Sequence, residues 1–252
     1  MAKMTLLEMV QDILADMGGD KVNSIDDTIE SEDVAQIIKT SFFEMIATRN
    51  WPHLRKLVQF TGLSDSTKPN YLLVPELVKE VVFFRYDKAS VANPKTQIEE
   101  IRFKEPDEFL RMVSVRDSTA STVQTVTDFS GSSLLIATNS APTYWTSFDD
   151  QHIVTDSYDA GVDTTLQTSK TQAMAYVEPG WSMIDTFIPD LPSEAFPALL
   201  AEAKSSAFLS IKQVANQKAE QKAQRNNRWL SRKAWKTNGG IRYEDYGRKS
   251  RR

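Results

Sequence analysis

The sequence contains no cysteine and only two histidines, His53 and His152. The absence of cysteine excludes disulfides, thiolate nucleophiles, Cys-ligated zinc and iron–sulfur clusters, and it is typical of proteins assembled in a reducing cytoplasm. Neither histidine lies beside a nucleophile-elbow pattern, and the chain has no Walker loop and no dinucleotide-binding or zinc-protease motif. We therefore expect no catalytic residue, no cofactor and no metal site.

Long apolar runs are also absent. No segment approaches the roughly 18 consecutive apolar residues of a membrane-spanning helix, and the N-terminal Met-Ala-Lys-Met leads into an amphipathic segment without an apolar signal core. The chain has 252 residues, of which 40% are hydrophobic and 25% are charged, a composition typical of a globular protein with a sizeable core. We therefore expect no membrane association.

Charge is unevenly distributed along the chain. Residues 204–252 contain fourteen lysines and arginines against three acidic residues, so this region carries +11 although the whole chain carries −4. Such a split favours an acidic partner for the C-terminal region, either a nucleic acid or an acidic protein surface. A solvated basic helix followed by a frayed end is the simpler alternative.

The two ends of the sequence predict helices, because their apolar residues recur at three- and four-residue spacing. Ser31 and Ser193 are the predicted N-caps of the second and third helices, and Asn216 marks a predicted break before a basic fourth helix. Gly18 follows the first helix at a position where helices favour glycine. The four helices are predicted over residues 6–17, 31–50, 193–215 and 216–236.

The middle of the sequence has a different residue pattern. Between His53 and Val177, short β-rich runs alternate every 8–12 residues or so with clusters of Ser, Asp, Gly and Pro, which predicts an antiparallel sandwich or barrel. The last two predicted strands are Thr165–Thr168 and Ala173–Val177, and one helix beginning at Pro106 interrupts the series.

These patterns predict an α+β fold: a helical bundle built from both chain ends, with an inserted antiparallel β domain and a flexible basic C-terminal tail. The predicted parts are residues 1–52 (bundle, first part), 53–184 (β domain), 185–236 (bundle, second part) and 237–252 (tail).

Several carboxylates could carry chemistry in principle. Asp156, Asp159 and Asp163 surround Gly161, but their spacing does not match an EF-hand loop and favours ordinary turn residues. The run Glu99-Glu100-x4-Glu105 could supply a pair for glycoside hydrolysis, although sequence gives no separation between carboxylates. A cell-wall hydrolase is therefore kept as one alternative function.

Arginines and aromatic residues alternate near the C-terminus. Arginine and aromatic side chains together can grip phosphates and stack on bases, which favours nucleic-acid binding. The same residue types also form the buried anchors of protein interfaces, and no recognised DNA-reading module is present. We expect protein docking, with nucleic-acid binding through the basic C-terminus as the first alternative.

The helical ends resemble a known family. The residues concerned are Leu6-Leu7, Val10, Ile13-Leu14 and Gly18, then Val22 and Ser24, then Arg49-Asn50-Trp51 at the end of the second helix, and finally Leu191-Pro192, Phe196, Ala203 and Phe208. In this pattern the chain resembles the tail tubular protein A family, the head-to-tail adaptors of short-tailed bacteriophages (podoviruses). The resemblance covers the helical ends and is weak over residues 53–177.

The resemblance implies a structural virion protein in the neck of a phage tail, not an enzyme. Such adaptors form a homo-oligomeric ring, a dodecamer, between the portal protein and the tail nozzle protein, where it continues the DNA channel and touches DNA transiently and without sequence specificity during genome ejection. The β insertion would dock tail fibres or other tail proteins. The portal-docking residues implied in this chain are Trp235, Arg242, Tyr243, Tyr246, Arg248, Arg251 and Arg252.

A ring requires one interface between unlike surfaces, repeated around its axis. The acidic N-terminal and basic C-terminal regions of neighbouring subunits could form this interface through Arg225, Arg228 and Arg232. Alanines four residues apart between Asn216 and Arg228 are expected to allow close contact with the neighbouring subunit.

Overall fold

The structure, a computed structural model, describes residues 3–90 and 93–232. Within these ranges the fold is mixed α+β, with five α-helices, one curled eight-stranded sheet and a separate two-stranded hairpin. None of the helices described is long and apolar enough to span a bilayer. The helices are α1 (Leu6–Met17), α2 (Ile29–Ala47), α3 (Pro106–Ser114), α4 (Phe196–Lys212) and α5 (Gln217–Arg232).

The chain divides into two compact units. The terminal unit comprises the described residues up to Leu54 and from Pro179 onward, and the insert unit comprises Arg55–Glu178. The sequence predicts an insert that extends to Ile184, but in the structure the residues after Glu178 belong to the terminal unit. The reason is packing, because Trp181 lies against Phe42 with ring centroids 5.1 Å apart and contacts the apolar core of the terminal unit.

The helices of the terminal unit begin and end at identifiable capping residues. Thr5 and Glu8 form a reciprocal capping box at the start of α1, and Gly18 ends this helix in the left-handed conformation with a φ of 71°, as the sequence predicts. The predicted cap of α2 at Ser31 is wrong: Thr28 is the N-cap, and Ser31 completes a capping box three residues later. The predicted cap of α4 at Ser193 is also wrong, because that helix begins at Phe196 without a side-chain cap.

A shared apolar core holds the terminal unit together. The core draws side chains from both ends of the chain, with α1, α2 and α4 contributing fully buried residues. Trp51 is buried and donates its indole N–H to the carbonyl of Met45 at 3.0 Å. The segment before α4 is tied to α1 and to the loop that follows α1, since the Leu6 amide donates to the Phe187 carbonyl and the Ile25 amide donates to the Asp185 carboxylate.

The large sheet has strand order β1-β10-β4-β5-β8-β9-β3-β2. Its pairs are antiparallel except for β5 and β8, which run parallel, so the prediction of a purely antiparallel domain is wrong on this point. A parallel pair needs a long connection, and α3 with the β6–β7 hairpin supplies it. The strands are β1 (Arg55–Val58), β2 (Thr61–Gly62), β3 (Tyr71–Leu73), β4 (Val78–Asp87), β5 (Ile98–Phe103), β6 (Val123–Thr127), β7 (Ser133–Ala137), β8 (Tyr144–Thr146), β9 (His152–Thr155) and β10 (Thr171–Val177).

The insert unit has its own aromatic core. Phe60 and Phe84 are fully buried and meet edge to face with ring centroids 5.0 Å apart. Two register shifts interrupt the pairing of β10 with β4, and irregularities of this kind bend a strand locally. The predicted strand Thr165–Thr168 does not form: the Gln167 amide donates to the Tyr86 hydroxyl, and a short 3-10 turn follows.

Two isoleucines of α2 provide a matched test of the core of the terminal unit. Ile38 is 1% exposed, whereas Ile29, in the first turn of the same helix, is 81% exposed. We expect Ile38→Ala to lower the free energy of unfolding by about 2–5 kcal/mol, because it leaves a cavity. Ile29→Ala should change the free energy of unfolding by less than about 0.5 kcal/mol. Urea denaturation followed by circular dichroism measures both, and equal losses would contradict the assigned packing.

Candidate functional site

Helix α5 begins at a side-chain cap and packs on α4. The Asn216 side-chain oxygen accepts a hydrogen bond from the Ala219 amide at 3.1 Å, which confirms the break that the sequence predicts at this residue. Ala219, Ala223 and Leu230 are buried, and the Asn226 side chain donates to the Pro197 carbonyl at 3.2 Å. These four positions lie on one face of the helix, so this face fixes the rotation of α5 about its axis.

The alanines of α5 therefore have a different role from the predicted one. The sequence suggests that they contact a neighbouring subunit, but Ala219 and Ala223 are 8% and 2% exposed in the single chain. Small side chains allow two helices to approach closely, and here the second helix is α4 of the same chain. Contacts with another subunit would have to involve the flanks of α5.

One flank of α5 carries a basic stripe, which we define as Lys218, Lys222, Arg225 and Trp229. These residues are spaced at i, i+4, i+7 and i+11, so they form a continuous row along the helix. All four are exposed, Trp229 by 45%. Within the described residues, no salt bridge involves the three charged members of the stripe. The row places three positive charges and one large, partly exposed aromatic ring along this flank of α5.

The basic stripe borders a cavity of about 240 Å³ beside α1, and Lys218, Lys222 and Lys204 line this cavity. Lys204 is neutralised within the unit: its Nζ lies 2.8 Å from Asp12 and 2.5 Å from Asp16. Burial would lower the pKa of Lys204, but the hydrogen bonds and charges of the two aspartates raise it overall. Two carboxylates of α1, those of Asp12 and Asp16, are thus engaged by Lys204.

The opposite flank of α5 borders an acidic groove, which we define as Glu44, Glu202, Glu220 and Asn227. The cavity in this groove has a volume of about 300 Å³, and Glu44 of α2, Glu202 of α4 and Asn227 of α5 line it. Burial, then the charge of Glu44 and then that of Glu220, raise the pKa of Glu202. Glu44 and Glu220 therefore each lie close enough to Glu202 to repel its negative charge.

Arg49 also lines the acidic groove. Its guanidinium lies over the ring of Trp51, 3.6 Å from the ring centroid, and burial lowers the pKa of Arg49. Among the described residues, no salt bridge joins Arg49 to Glu44 or Glu202. The groove thus keeps an excess of negative charge that a cation from outside could balance.

The predicted interface residues have separate locations in the structure. Arg225 belongs to the basic stripe, and Arg228 is exposed on the side of α5 turned away from α4. Arg232 is the last residue of α5. The predicted portal-docking residues Trp235, Arg242, Tyr243, Tyr246, Arg248, Arg251 and Arg252 lie outside the described residues.

Sequence reasoning missed both the groove and two lysines of the stripe. Lys218 and Lys222 have the four-residue spacing of a helical row, a signal that could have been read from the sequence. The acidic groove carries no comparable signal, because Glu44 and Glu202 come from distant parts of the chain.

Three other polar residues that the sequence singles out, Asp156, Asp163 and His53, have structural partners. Asp156 is buried and accepts hydrogen bonds from the amides of Thr143 and Tyr144, and Asp163 pairs with Lys170. His53 lies 2.8 Å from the Asp190 carbonyl through Nε2. Across the described ranges, no three His, Asp or Glu side chains come together as a metal site would require.

No protein-family model matches the chain, and no curated protein sequence matches it either. The arrangement itself is a helix with a positively charged flank and a negatively charged groove on opposite sides. Such a helix can bind an acidic surface on one side and a basic surface on the other.

The raised pKa of Glu202 predicts a change of stability with pH. The folded chain binds this proton more tightly than the unfolded chain, so stability falls as the pH rises from about 4.5 through the raised pKa. We expect Glu202→Gln to increase the melting temperature at pH 8 and to lose this advantage as the pH approaches 4.5. Thermal unfolding across this pH range measures the effect. A variant that is less stable than the wild type at pH 8 would contradict the assigned environment.

Proposed function

We propose that the chain is a non-enzymatic virion protein, the ring-forming head-to-tail adaptor of a short-tailed bacteriophage. In this proposal a helical bundle built from both chain ends forms the ring between the portal protein and the tail nozzle, and the ring continues the DNA channel. The inserted β unit docks other tail components. The observation that carries the proposal is the pair of unlike flanks on α5.

A closed ring is built from one heterologous interface, in which one surface of each subunit binds a different surface of the next. The basic stripe and the acidic groove are two such surfaces of opposite charge on a single unit. Lys222 and Arg225 would enter the groove of the next subunit and approach Glu44 and Glu202. Their charges would relieve the repulsion that raises the pKa of Glu202.

Trp229 gives the stripe an apolar component. Its side chain is 45% exposed in the single chain, although a tryptophan offers one of the largest apolar surfaces of any residue. Tryptophan and arginine are the residue types most often found to dominate the binding energy of protein interfaces. An interface centred on Trp229 and Arg225 would combine hydrophobic burial with charge pairing.

The resemblance at the helical ends also supports the proposal. Its N-terminal residues fall in α1 and at the cap Gly18, and its Arg49-Asn50-Trp51 run directly follows Thr48, the C-cap of α2. Trp51 and Phe196, which also belong to the pattern, are buried in the core of the terminal unit. The residues that carry the resemblance thus coincide with those that build this unit.

Nucleic-acid binding is the second candidate function, and the basic stripe favours it. Three exposed cations in a row with an exposed tryptophan form a surface that can bind phosphates and stack on a base. Such binding would weaken steeply as the salt concentration rises, because counterions are released from the nucleic acid.

Complementary charge reversals test the ring interface. The stripe variant carries Lys222→Glu and Arg225→Glu, and the groove variant carries Glu44→Lys and Glu202→Lys. We expect neither variant to assemble alone, because like charges would meet at every contact. A mixture of the two should assemble, since each variant then meets a partner of opposite charge. Sedimentation velocity and electron microscopy, with and without portal protein, measure assembly.

The matched control for these reversals is Lys95→Glu with Arg102→Glu, two exposed residues of the insert unit. This control should assemble like the wild type. Assembly by either reversed variant alone would contradict the interface, and so would a mixture that stays monomeric although the wild type forms rings.

Truncation after Asn238 tests the C-terminal docking prediction. The truncated chain lacks six of the seven predicted portal-docking residues and keeps Trp235. We expect the full chain to sediment with portal protein as a ring-sized complex and the truncated chain to lose this association. If neither form binds portal while the full chain binds DNA at moderate salt, nucleic-acid binding replaces the adaptor function.

A further inference from the structure

The insert unit contains a concave site between the β6–β7 turn and the β8–β9 loop. Its volume is about 240 Å³. Small-molecule sites usually enclose roughly 300–1,000 Å³, so this cavity has the size for a single long side chain. Its apolar walls include Leu110, Phe129 and Phe148, which are 40%, 56% and 36% exposed, and Asp128, Asp149 and His152 supply polar groups.

Hydrogen bonds fix Asp128 in the cavity. One carboxylate oxygen accepts the Tyr71 hydroxyl at 2.7 Å, and the other accepts the Ser130 amide at 2.9 Å. Burial would raise the pKa of Asp128, but the hydrogen bonds from Ser130, Tyr71 and the Phe129 backbone outweigh burial and lower it. The carboxylate is therefore held ionised and in one orientation.

Asp149 is fixed in a similar way. One of its oxygens accepts the backbone amides of Gln151 and His152, and the other lies 2.6 Å from Nδ1 of His152. An ionised carboxylate can only accept hydrogen bonds, so Nδ1 carries the proton. Burial opposes ionisation of Asp149, but the bonds from His152 and Gln151 lower its pKa overall.

Both carboxylates act on the phenol of Tyr71, which also lines the cavity. After burial and the hydrogen bond to Asp128, the charges of Asp128 and then of Asp149 further raise the pKa of Tyr71. In the described part of the chain, neither aspartate forms a salt bridge with a lysine or arginine. The cavity thus contains two negative charges that lack a permanent cationic partner.

The aromatic residues favour a cation over a sugar ring. The His152 imidazole stacks on Phe129 with ring centroids 4.5 Å apart, and the Lys68 ammonium lies 4.7 Å from the centroid of the same ring. The imidazole and the ammonium are thus both in contact with this ring. A sugar that stacked on Phe129 would have to compete with them, whereas a cation can bind the two carboxylates.

We propose that this cavity binds an arginine side chain from a segment of a partner protein. The guanidinium would lie between Asp128 and Asp149, with the aliphatic part of the side chain against Leu110 and Phe148. A guanidinium is planar and has five donors, so it can bridge two carboxylates whose oxygens are already partly engaged; the single ammonium of lysine cannot bridge them as well. The inference is independent of the adaptor proposal, because it concerns the insert unit and needs no ring.

Nuclear magnetic resonance of the full chain labelled at histidine tests the site. The probe is the blocked peptide acetyl-Gly-Arg-Gly-amide, and the matched control replaces arginine with citrulline, which has the same shape without the charge. We expect the arginine peptide to shift the His152 imidazole signal in a saturable way and to leave His53 unchanged. The citrulline peptide should produce no saturable shift. Equal binding of the two peptides would overturn the proposal.

Substitutions in the insert unit test whether the negative charges of Asp128 and Asp149 are needed for binding, because asparagine has nearly the same shape as aspartate without the charge. Asp128→Asn with Asp149→Asn should weaken binding of the arginine peptide by about tenfold or more, whereas Asp117→Asn, at an exposed turn of the same unit, should leave it unchanged. High salt should weaken binding to the wild type even if the double variant fails to fold. Salt-independent binding, or a response to a neutral disaccharide without one to the arginine peptide, would overturn the proposal.

Discussion

The contact between α5 and α4 is the interaction on which the candidate assembly surface depends. Helix α5 is polar and rich in lysine, arginine and glutamine, so it has little apolar surface to hold it in place. Ala219, Ala223 and Leu230 provide that surface, and the bond from Asn226 to Pro197 fixes the position along α4. Once this face is buried, Lys218 and Lys222 border the cavity beside α1, and Asn227 borders the one beside α2.

The charged residues of α4 also differ between the side that faces α1 and the side that faces α2. Glu202 and Lys204 are two residues apart, so they point to different sides of the helix. Lys204 meets Asp12 and Asp16 of α1 and is neutralised, whereas Glu202 meets Glu44 and Glu220 and is not. On the side of α4 that faces α1, positive and negative charges are therefore paired. On the side that faces α2, negative charges lie near one another without a cation paired to Glu202 among the described residues. Repulsion between these carboxylates lowers the stability of the single chain, and the positive charge of a basic partner would relieve it.

The insert unit shows a similar pattern, in which residues distant along the chain create a charged site. The turn that carries Asp128 and the loop that carries Asp149 belong to different hairpins, and Tyr71 comes from a third strand. The sequence draws attention to His152 as one of two histidines, but it gives no indication that Phe129 would stack on it. The sequence also gives no indication that β5 pairs with β8 in parallel, because alternation of apolar residues predicts a strand but not the strand with which it pairs.

The sequence by itself determined what depends on short-range spacing. Helical periodicity predicted the terminal helices, and the capping preference of Asn216 predicted the break before α5, because both signals act within a few residues. Even locally, Ser31 and Ser193 were wrong choices of cap, since several nearby hydroxyl residues compete for each helix start. The tertiary structure decided which face of α5 is buried, which carboxylates gather around Glu202, and which strands pair. These outcomes depend on contacts between residues far apart in the chain, and the packing of a whole unit selects among them.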